Sequence, residues 1–581
     1  MKEETKNCQN CKKNFVIESE DFNFYEKMQV PPPTFCPECR LIRRFIWRNE
    51  RNLYKDVCEL CKKNIISVYA PESPYVVYCP DCWKGDGWDP ISYGQDYDFS
   101  KPFFEQFNEL LKKVPRSAFH QTNVINSPYA NYSEDIKNVY LSYSIIHECE
   151  NVFYSRLVDH SKQILDCCDL SYSEICYENV SCKKNYNTNF AYFSRNVIDS
   201  TFVYDCINVS NCFLCTNLRN KQYCYKNKPH SKEEYLKIIK DYNLGSRDGL
   251  DKAKSEFKEL YSHAIHRFTH LINTTDSTGE NLYNCRNVKY SFNVDDGENS
   301  KYIFRSPSVK DSMDSSHLGG SEQVYEYMNG GATGSQFLKF CINLKPANNN
   351  VEYSDYCGSV SNVFASTGVR NKKYIIFNRQ YEKKEYEALV LKIKSHMDEM
   401  PYVDKRGRIY KYGEFFPSEL SPFAYNETLA HEYFPKNKDE IESMGFRFRE
   451  REKRSEIKAI SAQAIGSNIN EVSPEITDEL IACDNNGKEE TLCTFAFKVL
   501  PDEFASYKKA NLPIPTKCPN CRYFERTKFV NPLKLWHRSC MCSQKSHNHK
   551  EGRCSNEFET SYAPDRPEII YCERCYQQEV Y

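Results

Sequence analysis

The residues with the most chemistry to offer are cysteines in closely spaced pairs. Four Cys-x-x-Cys pairs open the chain: Cys8/Cys11, Cys36/Cys39, Cys58/Cys61 and Cys79/Cys82. Each pair can aim two thiolates at one ion, and two pairs complete a tetrahedral site. Sequential pairing gives one site from Cys8, Cys11, Cys36 and Cys39 and another from Cys58, Cys61, Cys79 and Cys82; interleaved pairing is the alternative. The C-terminus repeats the arrangement with Cys483, Cys493, Cys518 and Cys521, then Cys540, Cys542, Cys572 and Cys575. Cys542 is the preferred fourth ligand of the last site, with Cys554 as its substitute, and His547 and His549 lie in the same insertion. All-thiolate sites in a chain with no redox motif favour zinc, so about four structural ions are expected. With every ligand position filled by protein, none of these ions has an open position for a reacting water.

A second chemistry is offered by basic residues beside the knuckles. Arg40, Arg43, Arg44, Arg48 and Arg51 follow Cys39 at spacings that place them on one side of a helix. Between Lys508 and Ser555 eleven Lys and Arg face Glu525 and Glu551, a net of +9, interleaved with Tyr523, Phe524, Phe529 and Trp536. Basic charge among stackable rings suits RNA or single-stranded DNA, so Arg522, Arg526, Lys528, Lys534 and Arg538, with Arg40, Arg44 and Arg48 at the other end, are the expected contacts. The competing expectation is that the C-terminal rings form a small core solubilised by the surrounding charges, and that the N-terminal arginines form a solvated face or lie over Phe45 and Trp47. A third chemistry would use paired carboxylates in the middle: Asp166/Asp169, Glu174/Glu178, Asp295/Asp296 and Glu322/Glu326. Ser173-Glu174 to Glu178 returns as Ser321-Glu322 to Glu326, and a motif present twice suits a turn or an interface better than an active site. His547-Asn548-His549 has the letters of a nuclease signature without its flanking architecture.

The elements that would position these groups follow from two duplications. One offset of 482 carries Cys11, Phe15, Phe22, Cys36 and Cys58 onto Cys493, Phe497, Phe504, Cys518 and Cys540; the offset is 493 from Tyr69/Tyr562 to Cys82/Cys575. One cysteine module thus brackets the chain. Between the copies the dipeptide Asn-Val recurs from Asn123 to Asn362, at an irregular unit near 14 residues, with short alternating runs such as Val152-Phe153-Tyr154-Ser155. Short strands with Asn at the bends describe a parallel β-solenoid, its twelve cysteines facing inward as small hydrophobes. Cys212 and Cys215, at knuckle spacing, are assigned to that core. The solenoid is itself duplicated, with offsets of 148 to 151, and each half ends in a helix, the first carrying the capping-box pair Ser231 and Glu234. The fold class is therefore mainly β with short helices: a duplicated parallel β-solenoid flanked by two double-zinc modules of zinc-ribbon or treble-clef type. The expected boundaries are an N-terminal double zinc module at 1–90, a helical connector at 91–119, solenoid halves at 120–266 and 267–398, a connector at 399–480 and a C-terminal double zinc module at 481–581. Within the last connector, 415–428 reads as an ordered aromatic loop, 447–454 as a solvated charge run and 467–476 as the loosest stretch.

Length and composition bound the rest. At 581 residues several domains are expected. A net charge of −2 announces no global attraction to nucleic acid or membrane. Mean hydropathy is −0.71, no apolar run reaches membrane-spanning length and the N-terminus lacks a signal-peptide core, so the expected compartment is the cytoplasm, with reduced thiols.

Tyr562-Ala563-Pro564-Asp565-Arg566-Pro567-Glu568-Ile569-Ile570-Tyr571-Cys572-Glu573-Arg574-Cys575-Tyr576 and Leu535-Trp536-His537-Arg538-Ser539-Cys540-Met541-Cys542 resemble a family of uncharacterised multi-zinc-ribbon proteins of uncultivated small-genome bacteria. Arg219–Tyr223 and Ser421–Thr428 are similar to that family's middle. The resemblance spans most of the chain and implies no known activity. The expected function is a non-enzymatic scaffold or adaptor that binds RNA or DNA through the basic C-terminal module. The alternatives are a protein-binding scaffold using the solenoid face and a polysaccharide hydrolase or lyase.

Overall fold

A computed structural model describes residues 2–331, 333–450, 458–547, 549 and 552–581. The chain divides into two compact units, Met1–His120 with Thr269–Glu450, and Gln121–Phe268 with Arg451–Tyr581. Each unit therefore combines one cysteine module with the half of the middle that is remote from it in sequence.

The fold is mainly β with short helices. Among the described residues, the middle of unit 2 is a 14-stranded sheet and that of unit 1 a 13-stranded sheet, both parallel except for a closing hairpin at the end. In unit 2 Val152 pairs with Ile164, Ile164 with Cys176, Cys176 with Thr188 and Thr188 with Ser200. The repeat is thus 12 residues, not the 14 expected from the Asn-Val spacing. Steps of 13 at Val139/Val152 and 14 at Val324/Leu338 are local insertions.

The backbone explains the error. From Gln163 to Lys226 every third residue has φ between 47° and 61°, so each 12-residue repeat is four short segments joined at left-handed corners. Asn tolerates that conformation better than other side chains with a Cβ. Nine of the ten Asn-Val asparagines are at such corners. Because they occupy different corners, the distance from one to the next is not the length of a repeat. Asn179 is the exception: it is buried, donates to Thr188 Oγ1 at 2.7 Å and accepts from the Ala191 amide at 3.0 Å.

Corner asparagines also ladder. Asn196 donates to Asn208 at 2.9 Å, and Asn208 donates to Asn220 at 3.0 Å. Asn208→Ala removes both bonds and leaves a Cβ at φ 56° with no side-chain compensation. The expected loss is about 1–2 kcal/mol, read as a lower urea midpoint at unchanged slope.

Inward positions carry Val, Ile, Leu, Ala and Cys. Eleven of the twelve middle cysteines belong to these two apolar interiors, Cys212 and Cys215 among them, and Cys168 packs on the outer flank. The first half ends on the helix Lys232–Tyr242, whose N-terminus has the expected box: Ser231 accepts from the Glu234 amide and Glu234 from the Ser231 amide. The second ends on Lys383–Glu399.

The connector at 91–119 contains the helix Phe103–Lys113. Phe416 of the aromatic loop is fully buried, with ring centroids 5.3 Å from Trp47 and 5.5 Å from Phe107. The stretch 467–476 is tighter than expected. It forms the 3-10 turns Ile469–Glu471 and Pro474–Thr477, with Ile469 fully buried, because its apolar side chains find the face of unit 2. The charge run is described only as far as Glu450; Arg451–Arg454 lie outside the described residues. No helix among the described residues is long and apolar enough to cross a membrane.

Candidate metal centres and the clamps beneath them

Each cysteine module builds its sites from the same two local pieces. A turn after a short strand, tight in the N-terminal module and lengthened in the C-terminal one, presents the first two cysteines, and the N-terminus of a helix presents the last two. Antiparallel strands Glu4–Asn7 and Asn14–Ile17 flank Cys8 and Cys11; Tyr54–Val57 and Asn64–Ser67 flank Cys58 and Cys61. Lys12 and Lys62 turn these knuckles at φ 61°. Cys36, Cys79 and Cys518 are N-caps followed by proline at the first helical position, and Cys572 caps Glu573–Val580. Proline is favoured there because its missing N–H is one the helix leaves unpaired.

The ligand sets close sequentially: Cys8, Cys11, Cys36 and Cys39; Cys58, Cys61, Cys79 and Cys82; Cys483, Cys493, Cys518 and Cys521. Cys483 thus takes the role of Cys8 across the longer loop. Around a tetrahedral ion with bonds of about 2.3 Å, sulfurs stand roughly 3.8 Å apart. The structure has 3.7 Å for Cys11/Cys36, 4.0 Å for Cys61/Cys79 and 3.9 Å for Cys483/Cys521. In all four sites the amide of the helix-capping cysteine donates to the first knuckle sulfur at 3.2 Å, Cys36 to Cys8, Cys79 to Cys58, Cys518 to Cys483 and Cys572 to Cys540. Burial pushes the Cys58 thiol up, but the amides of Cys61, Cys79 and Leu60 outweigh it and bring the thiol to about 7. These sets can hold metal ions, and their donor chemistry is consistent with structural zinc.

The fourth site corrects the expected ligand. Cys554, not Cys542, joins Cys540, Cys572 and Cys575. The signal was present in the sequence: the 493 offset that relates Cys575 to Cys82 also relates Cys554 to Cys61. The hairpin Trp536–Ser539 with Glu557–Thr560 has the eleven-residue insertion in its turn, and the chain returns at Cys554 to where Cys61 stands in the N-terminal copy. Cys542 lies instead beside His547 and His549.

The arginines expected to meet nucleic acid are inside the protein. Arg40, Arg43, Arg44 and Arg48 are at most 3% exposed. Arg40 Nε donates to Asp314 Oδ2 at 2.9 Å and its Nη1 to the Phe35 carbonyl at 2.7 Å. Arg43 bridges Glu326 at 2.8 Å and Glu414 at 2.7 Å. Arg44 Nη1 reaches Glu326 at 3.0 Å and Asp314 at 3.3 Å, and Arg48 Nη1 donates to Asn329 at 2.7 Å.

Unit 2 repeats the clamp. Arg522 Nε and Arg526 Nη1 each lie 2.9 Å from an Asp166 oxygen, and Arg526 Nη1 lies 4.0 Å from Glu178. The N–H vectors here are not aligned for hydrogen bonds to Asp166, so the attraction is chiefly Coulombic. The 482 offset relates Arg40 and Arg44 to Arg522 and Arg526, and the 148 offset relates Asp166 and Glu178 to Asp314 and Glu326. The repeated Glu of the middle is therefore the receptor for the repeated Arg of the module. Burial raises the Glu178 and Glu326 carboxyls above their usual range, as it would for a general acid, but arginines fill the space in front of them. Of the expected nucleic-acid contacts, Lys528 and Lys534 are exposed, while Arg538 is half-buried and donates to the Ala563 carbonyl at 3.1 Å.

Unit 2 also seats a buried histidine at the join. Strand Ile265–Arg267 pairs with Ile569–Tyr571 of the cysteine module. His266 Nε2 faces the Tyr261 carbonyl at 3.2 Å and so holds the proton, and its Nδ1 accepts from Tyr204 at 2.6 Å. Burial pulls its imidazole down to about 4. Stability is complete above pH ~6.5, where the unfolded imidazole is neutral, and falls as pH drops toward 4, because only the unfolded chain takes up the proton. The contribution amounts to up to about 3 kcal/mol, and a thermal melting series from pH 7 to 4.5 should lose that part of its slope in His266→Gln.

No protein-family model matches the chain, and no curated protein matches it. Among solved structures, a candidate acetyltransferase from Desulfovibrio desulfuricans G20 is similar over 51% of this chain and 75% of that one, at 12% identity and a TM-score of 0.11. A TM-score that low establishes no shared fold.

Proposed function

We propose that the protein is a non-enzymatic, zinc-stabilised scaffold of the cytoplasm. In it two β-solenoid segments, each locked to a double-zinc module of ribbon or treble-clef type, present their outer faces to a protein partner. The observation that carries the reading is the clamp, which appears at equivalent positions in both units and takes up Arg40, Arg44, Arg522 and Arg526 together with Asp166, Glu178 and Glu326, one member of each of three candidate carboxylate pairs. What remains outside is a patterned surface. On one flank of unit 2, His147, His160 and Tyr172 form a column of exposed rings, with centroids 5.0 Å and 4.7 Å apart and Asp159 bonded to both histidines. Rigid rings with polar edges give contact area at little entropic cost.

Nucleic-acid binding is the second reading, favoured by the exposed Lys528 and Lys534. The two separate in a pull-down from native cell extract with and without nuclease. Partners that survive nuclease and are lost in a His160→Ala, Tyr172→Ala variant support the protein-binding scaffold. Retention that nuclease abolishes, that weakens steeply with salt and that falls with Lys528→Ala, Lys534→Ala supports the second reading instead. Arg522 and Arg526 are unsuitable for this test, since their loss breaks the clamp.

A further inference from the structure

The inserted turn of the C-terminal module contains metal-ligand chemistry that its N-terminal copy lacks. The N-terminal site is complete with Cys58, Cys61, Cys79 and Cys82, and Cys540, Cys554, Cys572 and Cys575 complete the corresponding one. Cys542, His547 and His549 are surplus to that requirement, yet their ligand atoms converge with Cys575 Sγ to within 4.8 Å of one another. His547 Nδ1 is 3.1 Å from Cys542 Sγ, and His549 Nε2 is 3.5 Å from the same sulfur. Cys542 and His547 are buried. The other nitrogen of His547, Nε2, lies 3.0 Å from Glu579, the outer carboxylate that orients a ligating imidazole. Glu579 and Cys575 belong to one helix, Glu573–Val580, so a single element would supply a ligand and the group that aims another.

We infer that the C-terminal module binds a fifth zinc ion through Cys542, His547, His549 and Cys575, with the Cys575 thiolate bridging it to the neighbouring four-cysteine ion. The inference rests on the metal reading of that module. Two sulfurs and two imidazoles are a fitting set for zinc. The charge is also favourable: two divalent ions among five thiolates leave one net negative charge, against two for a lone ion in four thiolates. The site would pin the inserted turn to the helix.

The test is metal content per chain of the full-length zinc-loaded protein, by mass spectrometry against protein concentration. The expected values are five zinc ions in the natural chain and four in the His547→Ala, His549→Ala variant, with the other sites retained. The N-terminal copy builds its module without these residues, so the variant is expected to fold, and circular dichroism checks that it does. Four ions in both proteins would overturn the inference while leaving the structural-zinc reading intact; none in either would sink both. If the variant fails to fold, cadmium NMR of the natural chain decides instead. A resonance in the mixed sulfur–nitrogen range beside the all-sulfur set supports the fifth site, and all-sulfur resonances alone exclude it.

Discussion

Asp166→Ala should destabilise unit 2 by about 3–5 kcal/mol, the usual result of removing one partner from a buried ion pair. The reason is the position of Asp166, fully buried between Arg522 and Arg526, which are 3% and 1% exposed. Without it both guanidinium groups lose their nearest charge and cannot reach water. Glu503, which accepts from Arg522 Nη2 at 3.4 Å, and Glu178, 4.0 Å from Arg526, leave each arginine only a longer and weaker contact in its place. Asp166→Asn keeps the shape and should still lose most of the stability, because the missing quantity is charge. Asp314→Ala should act alike in unit 1, where Arg40 and Arg44 share that carboxylate. The exposed pair Lys137/Glu150 of the same unit is the control: its lysine side chain is 53% exposed, and its loss should cost under about 1 kcal/mol. Trp536 is the single tryptophan of unit 2, so the part of the urea-induced fluorescence change that Trp536→Phe removes reports that unit. A shift for Asp166→Ala no larger than the control's would show that the clamp fixes geometry without stabilising.

Stripping metal with a strong chelator should unfold the cysteine modules while leaving the parallel ladders formed. Structural zinc contributes on the order of 10–16 kcal/mol per site in peptides, comparable to the whole stability of a domain. The helices Pro37–Phe45 and Pro519–Thr527 begin at Cys36 and Cys518 and carry the clamp arginines, so loss of the ions releases the clamps as well. The ladder interiors need no ion: Val152, Val158, Ile164, Val197 and Val203 are fully buried among their own kind. The expected result is that tryptophan fluorescence shifts and module thiols become reactive, while the far-ultraviolet strand signal persists. Zinc should restore the starting state. Unchanged thiol reactivity after complete metal removal would refute the structural role.

The legible part of this protein was whatever is local in the chain. Knuckle spacing, proline after the capping cysteine and the two duplications could be read from neighbours, and they located all but one of the cysteines that cluster in the four sets. Cys554 was legible too, through the 493 offset, but Cys542 lies closer to the spacing of a knuckle and drew the assignment. The 12-residue repeat was not legible from Asn, because a left-handed corner occurs every third residue and Asn can stand at any of them.

By itself, then, the sequence determined the cysteine modules, the duplicated middle and the inward cysteines, since each follows from spacing along a few dozen residues. Only the tertiary structure decided what the arginines do. Arg44 and its partner Asp314 are 270 residues apart. A basic helix with aromatic neighbours has the same pattern whether it faces phosphate or a buried carboxylate, and the difference is set by a distant segment whose charge the local spacing cannot contain.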